Sequence, residues 1–153
     1  MTYENPEHLS INPYFAEKLL SAYEISQLIT VKLLIVNADG DILVIRRSQT
    51  DPTRPLSWDL PGGHVTTGEN AVDAIIRETA EEIGVSIRLP ELYDVLPAAT
   101  ADRATTIMFK TVTDGVLDIA LGDEHDQFRW ISSEEFMDLD LPSKYRESYN
   151  KYR

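Results

Sequence analysis

The 153-residue chain contains no cysteine. That excludes disulfides, thiolate zinc sites and cysteine nucleophiles together, and a cytoplasmic location fits. No apolar run approaches the length of a membrane span. The opening stretch "MTYENPEHLS" lacks the basic start and apolar block of a signal peptide. Positive charge is scarce, with 14 Lys and Arg against 26 Asp and Glu, for a net charge of −12. A polyanion does not gather on such a surface by electrostatics alone, which speaks against nonspecific binding to nucleic acid or anionic membranes. A phosphate-bearing small molecule would need metal ions or a local basic patch to approach. Internal repeats and low-complexity linkers are also missing. The length suits one domain with a real core, as monomer or homodimer, and the composition is ordinary for a globular protein.

What the chain does have is acid crowded into one place. "RETAEEIGV" (Arg77–Val85) sets Glu78, Glu81 and Glu82 within five residues, beside Arg77. Like charges at i,i+3 and i,i+4 destabilise a helix, so either solvation of an exposed face or a cation must offset the repulsion. Val72, Ile75, Ile76, Thr79 and Ile83 form an apolar stripe at helical spacing, which predicts a helix over 69–83. Gly84 stands where a C-cap glycine belongs. The three carboxylates then flank the buried face together. Clustered oxygen donors without thiols favour Mg²⁺ or Mn²⁺ over zinc.

Around this helix the pattern predicts an N-terminal helical extension within about residues 1–26, with a helix from Pro13 to Ser26. A β-hairpin of "ITVKLLIV" and "ILVIRR" turns at Gly40. "WDLPGGHV" reads as a short extended piece turning at Gly62 and Gly63. Strands are expected at "LYDVLPA", "TTIMFKTV" and "FRWI". Ser132 and Glu135 resemble a capping box opening a helix, and a last helix runs from Pro142 to Tyr149. Mixed strands and helices predict an α/β fold, a mixed sheet covered on both faces.

From Gly63 the order is five residues, Glu69, seven residues, Arg77-Glu78, two residues, Glu81-Glu82, one residue, Gly84 and an aliphatic. This resembles the Nudix box, the signature of the Nudix hydrolases. A chance match is on the order of 10⁻⁸ per start point at average residue frequencies. One aliphatic position of the pattern is filled by Thr79. "RR", "LPGG" and "EHDQFRWISSEEF" outside the box are similar to the family too. The resemblance implies a Nudix-type α/β/α sandwich over residues 1–153 and hydrolysis of a phosphoanhydride in a nucleoside diphosphate linked to a group X. It implies Glu78, Glu81 and Glu82 as ligands of Mg²⁺ or Mn²⁺, with the Gly63 carbonyl completing the site. Glu69 and Arg77 resemble the pair that locks loop to helix.

A general base from outside the box is expected at Glu124, in the acidic loop "GDEHDQ"; Asp123, Asp126 and His125 are its rivals. Arg47 matches the position of phosphate-binding arginines in some relatives, and an exposed strand-end arginine is the alternative. Trp58 is the better stacking candidate of the two tryptophans, against simple packing. The box fixes the chemistry and not the leaving group. No "SQPWPFP" follows it, Pro90 and Pro97 do not stand at the ADP-ribose spacing, and no tyrosine marks a dinucleoside-polyphosphate branch. "RRSQTDPTRPLSWDL" resembles isopentenyl-diphosphate isomerases, whose site needs a cysteine. Three readings remain: a nucleoside-triphosphate pyrophosphohydrolase, a nucleoside-diphosphate-sugar hydrolase, and a sensing module without turnover, against which the complete acidic set weighs.

Overall fold

The computed structural model describes residues 28–153, together with Tyr14, Glu17 and Lys18. Most of the expected helix Pro13–Ser26 lies outside the described residues. From Leu28 the chain builds β1 (Ile29–Val36), β2 (Ile42–Arg47), β3 (Trp58–Asp59), β4 (Gly62–His64), α1 (Ala71–Ile83), β5 (Glu91–Leu96), β6 (Thr105–Val112), β7 (His125–Ile131), α2 (Ser133–Asp138) and α3 (Ser143–Tyr152).

The strands form one seven-stranded mixed sheet. Its backbone order is β3-β2-β1-β6-β5, with β4 paired to β1 and β7 to β2. β1 is central: eight residues run parallel to β6, while its first half also pairs antiparallel with β4. The β1–β2 turn is set by Asn37, whose Oδ1 accepts from the backbone N–H groups of Asp39 and Asp41, with Gly40 at φ 85°.

Alternation along β1 divides the core. Val31, Leu33 and Ile35 face α1 with Ile75 and Ile83. Leu34 faces the opposite side, with Met108, Phe136 and Tyr145 of β6, α2 and α3. The result is the expected α/β/α sandwich, a mixed sheet between helical layers. Lys32 is on the second face and almost fully buried, a charge inside an otherwise apolar strand.

Three local expectations change. The helix begins at Ala71, because Asn70 caps it by accepting from the Asp73 N–H at 2.8 Å; Glu69 stays in the preceding loop. Val72 is exposed, and Ala74 takes its place on the buried face with Ile75, Thr79, Glu82 and Ile83. Thr79 fits that face because its hydroxyl donates to the Ile75 carbonyl at 2.6 Å. Gly62 and Gly63 lie in β4 itself, paired with Lys32 and Val31. Gly84 does close α1, at φ 69° with its N–H on the Ala80 carbonyl. Ser132 caps α2 by accepting from the Glu135 N–H, but the Glu135 carboxylate turns to Arg129 and leaves the box half-made.

Candidate active site

Two glycines of β4 allow close approaches, Gly62 to β1 and Gly63 to α1. Gly62 sits at φ 141°, and a Cβ there would fall 2.0 Å from the Val31 carbonyl oxygen. A Cβ at Gly63 would fall 2.5 Å from the Glu78 carboxyl carbon. The Gly62 N–H donates to Glu82 Oε2 at 2.7 Å, which fixes that carboxylate between helix and strand. Glu82 is 7% exposed. Burial pushes its pKa up to about 8, while Lys32 and the Gly62 N–H pull the other way.

Glu78 and Glu81 are held differently. Arg77 Nη1 donates to both, at 3.0 and 3.1 Å, and its other nitrogens reach both oxygens of Glu69 and the His64 carbonyl. Glu69 also accepts from the N–H and hydroxyl of Thr66. Arg77 therefore ties the Gly63–Glu69 loop to the helix, and it offsets part of the repulsion among the carboxylates itself.

The segment between β6 and β7 brings Glu124 to this helix. Leu117, Ile119 and Leu121 pack against the α1 face of the core, and the backbone N–H groups of Ala120 and Gly122 donate to the Ile83 and Glu82 carbonyls, at the end of α1. Gly122 passes so close that a Cβ would meet the Glu81 carbonyl oxygen at 2.5 Å. Glu124 and His125 then face Glu82: one donor atom from each of the three lies within 4.8 Å of the others. His125, expected in a solvated loop, is instead buried as the first residue of β7. Its Nδ1 is buried without a partner among the described residues. Burial, with Lys32 and Arg47 nearby, lowers its pKa to about 4, which disfavours protonation and leaves a neutral ring nitrogen able to ligate a metal.

These groups line one side of a cleft of about 1160 Å³. Across it stands a buried ion-pair network that sequence reasoning missed. Lys32 Nζ lies 3.0 Å from Asp59 Oδ2 and donates to the Leu60 carbonyl. Arg47 bridges Asp59 and Asp51, each at 2.9 Å. Burial alone would raise the Asp59 pKa, but Lys32 and Arg47 hold it below the usual value. The one signal for this network was the lysine within "ITVKLLIV", since a charge in a buried strand requires a partner.

The cleft brings together Gly63, Glu78, Glu81, Glu82, Glu124 and Arg47. Arg77 and Glu69 support it from behind. Arg46 diverges from Arg47 at a register shift against β7 and pairs with Asp126 through two contacts, at 2.8 and 3.1 Å. Trp58 does not line the cleft. Its ring packs on the second core cluster, with the Arg129 guanidinium 5.7 Å from the ring centre, because β3 pairs with β2 in a register that sets Trp58 opposite Arg46.

A helix with three glutamates, tied to its loop by Arg77 and cradled at Gly63, thus stands beside the acidic loop that carries Glu124. The model of the NUDIX domain matches residues 27–152. The chain belongs to the Nudix family. A Bacillus subtilis relative named putative 8-oxo-dGTP diphosphatase is 30% identical over 115 residues, covering 75% of this chain and 73% of its own. The RNA pyrophosphohydrolase of Rickettsia bellii is 28% identical over 132 residues, covering 74% and 80%. Among solved structures, a MutT protein from Methanosarcina mazei superposes with a TM-score of 0.73 at 30% identity, over 82% of this chain and 91% of that one. This Nudix domain is accordingly a hydrolase, with nucleotide pyrophosphohydrolases among its relatives.

Proposed function

We propose that this Nudix hydrolase cleaves a phosphoanhydride in a nucleoside diphosphate linked to X, with a nucleoside triphosphate as the leading substrate and Mg²⁺ or Mn²⁺ as its cofactor. The observation that carries the reading is the convergence of Glu82, Glu124 and His125 donor atoms within 4.8 Å, next to a backbone cradle that only glycine allows. The donor set fits these ions: carboxylates are hard ligands suited to Mg²⁺, and an added imidazole is tolerated by Mn²⁺.

Glu82, Glu124 and His125 would hold the ion, with Glu78, Glu81 and the Gly63 carbonyl alongside. The chemistry it supplies when bound is neutralisation of phosphoryl charge and activation of water. The chain's own residues do the rest. The Gly62 N–H orients Glu82, and Arg77 keeps Glu78 and Glu81 at the mouth of the cleft. Lys32 and Arg47, each anchored on Asp59, present fixed positive charge to a phosphate without reorganising. Glu124 is exposed, so a carboxylate oxygen not spent on the ion can take a proton from an attacking water and release it to solvent.

The test is a panel of nucleoside triphosphates and nucleoside-diphosphate sugars with Mg²⁺, reading released pyrophosphate or monophosphate. Turnover of a triphosphate that stops in excess chelator is the expected result. Full activity in chelator defeats the metal mechanism, and turnover confined to sugar nucleotides moves the substrate to that class.

A further inference from the structure

The rest of the cleft lining has a composition that bears on what X is. Five cations line it: Lys32, Arg47, Arg54, Arg103 and Lys144. Three aspartates line the cleft with them: Asp51 and Asp59 are engaged by Arg47 or Lys32, and Asp123 stands beside Glu124. Arg54, Arg103 and Lys144 form no ion pair with any described residue. Yet the chain as a whole carries −12, so this is a positive island in an acidic protein.

The island is built, not incidental. Asp51 organises the β2–β3 loop by accepting from the Thr53 and Arg54 N–H groups, and Arg54 lines the cleft. Lys144, at the start of α3, donates to Thr106 Oγ1 at 2.8 Å, and that hydroxyl pairs with Thr30. Burial, then repulsion from Lys32, lowers the Lys144 pKa. The wall offers little to a nucleobase. Among the described residues, no Trp, Phe, Asn or Gln lines the cleft; Tyr145 is 4% exposed, and the other rings are the imidazoles of His125, in the glutamate cluster, and His64, next to Gly63. Bases are ordinarily held by stacking on exposed rings and by amide hydrogen bonds.

We propose that this wall binds a further anionic group carried by X, a phosphate or chain of phosphates beyond those the glutamate side engages, while the nucleobase stays outside the cleft. The inference rests on the hydrolase reading of the same site. A substrate of this class carries phosphate at both ends of the cleft, and the Arg54–Arg103–Lys144 wall selects it over a plain sugar nucleotide.

Binding separates this inference from the hydrolase reading. Calorimetric titration of the intact protein in chelator at low ionic strength uses three probes: inorganic tripolyphosphate, ribose 5-phosphate and adenosine. At least one phosphate probe binds, and adenosine does not. Preference for tripolyphosphate assigns a phosphate chain; preference for ribose 5-phosphate assigns a phosphorylated sugar. Arg103→Gln/Lys144→Gln weakens that binding at least about tenfold, by loss of two phosphate contacts. Arg88→Gln/Lys110→Gln, which removes the same charge outside the cleft, leaves it within about twofold. Circular dichroism confirms that both variants fold, and Arg54→Gln is the second variant should Lys144→Gln disturb α3. Failure of both phosphate probes to bind, equal weakening in the two double variants, or binding of adenosine alone overturns the proposal, whatever the nucleotide panel shows.

Discussion

Glu82 is pulled in opposite directions by its surroundings. Burial raises its pKa to about 8, against Lys32 and the Gly62 N–H. Its folded value thus exceeds the unfolded one near 4.5, so without metal the native state holds a proton that the unfolded chain releases. That stability is present in full below about pH 4.5 and is lost as pH rises through 8. His125 acts with the opposite sign: lowered to about 4, it destabilises the fold as pH drops from about 6.5 toward 4. Of these two groups, only Glu82 contributes in the window from pH 6.5 to 8. Thermal unfolding of metal-free wild type is expected to fall across that window, and the Glu82→Gln profile to stay flat. Superimposable profiles would mean that Glu82 is ionised throughout. With metal, Glu82→Gln is expected to lose at least about a hundredfold in kcat, the scale of one preorganised charge-stabilising group. A folded variant with near-normal turnover removes Glu82 from the site.

Gly62 and Gly63 show how a three-residue strand does two jobs. A methyl at Gly62 meets backbone, the Val31 carbonyl, at a φ that other residues rarely adopt. Gly62→Ala is expected to unfold the protein or separate β4 from β1. At Gly63 the methyl meets only the end of a flexible side chain, the Glu78 carboxylate. Gly63→Ala is expected to fold with a Tm close to wild type and to lose up to about a hundredfold in kcat, because a ligand is displaced by about 1 Å. The reverse pattern, an active Gly63→Ala protein, would show that the position of Glu78 is immaterial. The β6–β7 segment poses a similar contrast. Glu124→Gln is expected to lower kcat with KM nearly unchanged, whereas Asp126→Asn, whose carboxylate is spent on Arg46, and Asp123→Asn are mild. A large loss in either aspartate variant, with Glu124→Gln near wild type, transfers the role. The box was legible because its partners sit within one helix and the loop before it, where spacing alone implies proximity. Lys32 and Asp59 were not: their pairing depends on sheet register between residues 27 positions apart. Val72 was misread for a related reason. Its apolar character matched the stripe, but the helix packs with its buried face turned toward Ala74 and Glu82, which leaves Val72 toward solvent.

At the scale of the whole molecule, a chain with 26 acidic residues gathers four glutamates and five cations in one cleft. Self-repulsion from −12 weakens the compact state, and the glutamate side adds a local share of it. Two kinds of cation relief are distinguishable. Screening by monovalent salt acts over the entire surface, on a Debye length of about 8 Å at 0.15 M, and needs no site. A divalent ion held by the glutamates stabilises by mass action, about 2.7 kcal/mol at a hundredfold excess over Kd. For a domain of this size that corresponds to a rise in Tm of roughly 5–10 °C. Mg²⁺ or Mn²⁺ is therefore expected to raise Tm by that amount, while NaCl at matched ionic strength gives a smaller rise. Removing two of the clustered carboxylates in Glu81→Gln/Glu82→Gln separates the effects further: the NaCl response persists, and the divalent increment vanishes. An equal response to both salts in wild type, or an undiminished divalent increment in the double variant, would show that general screening is at work and that the glutamates of α1 hold no ion.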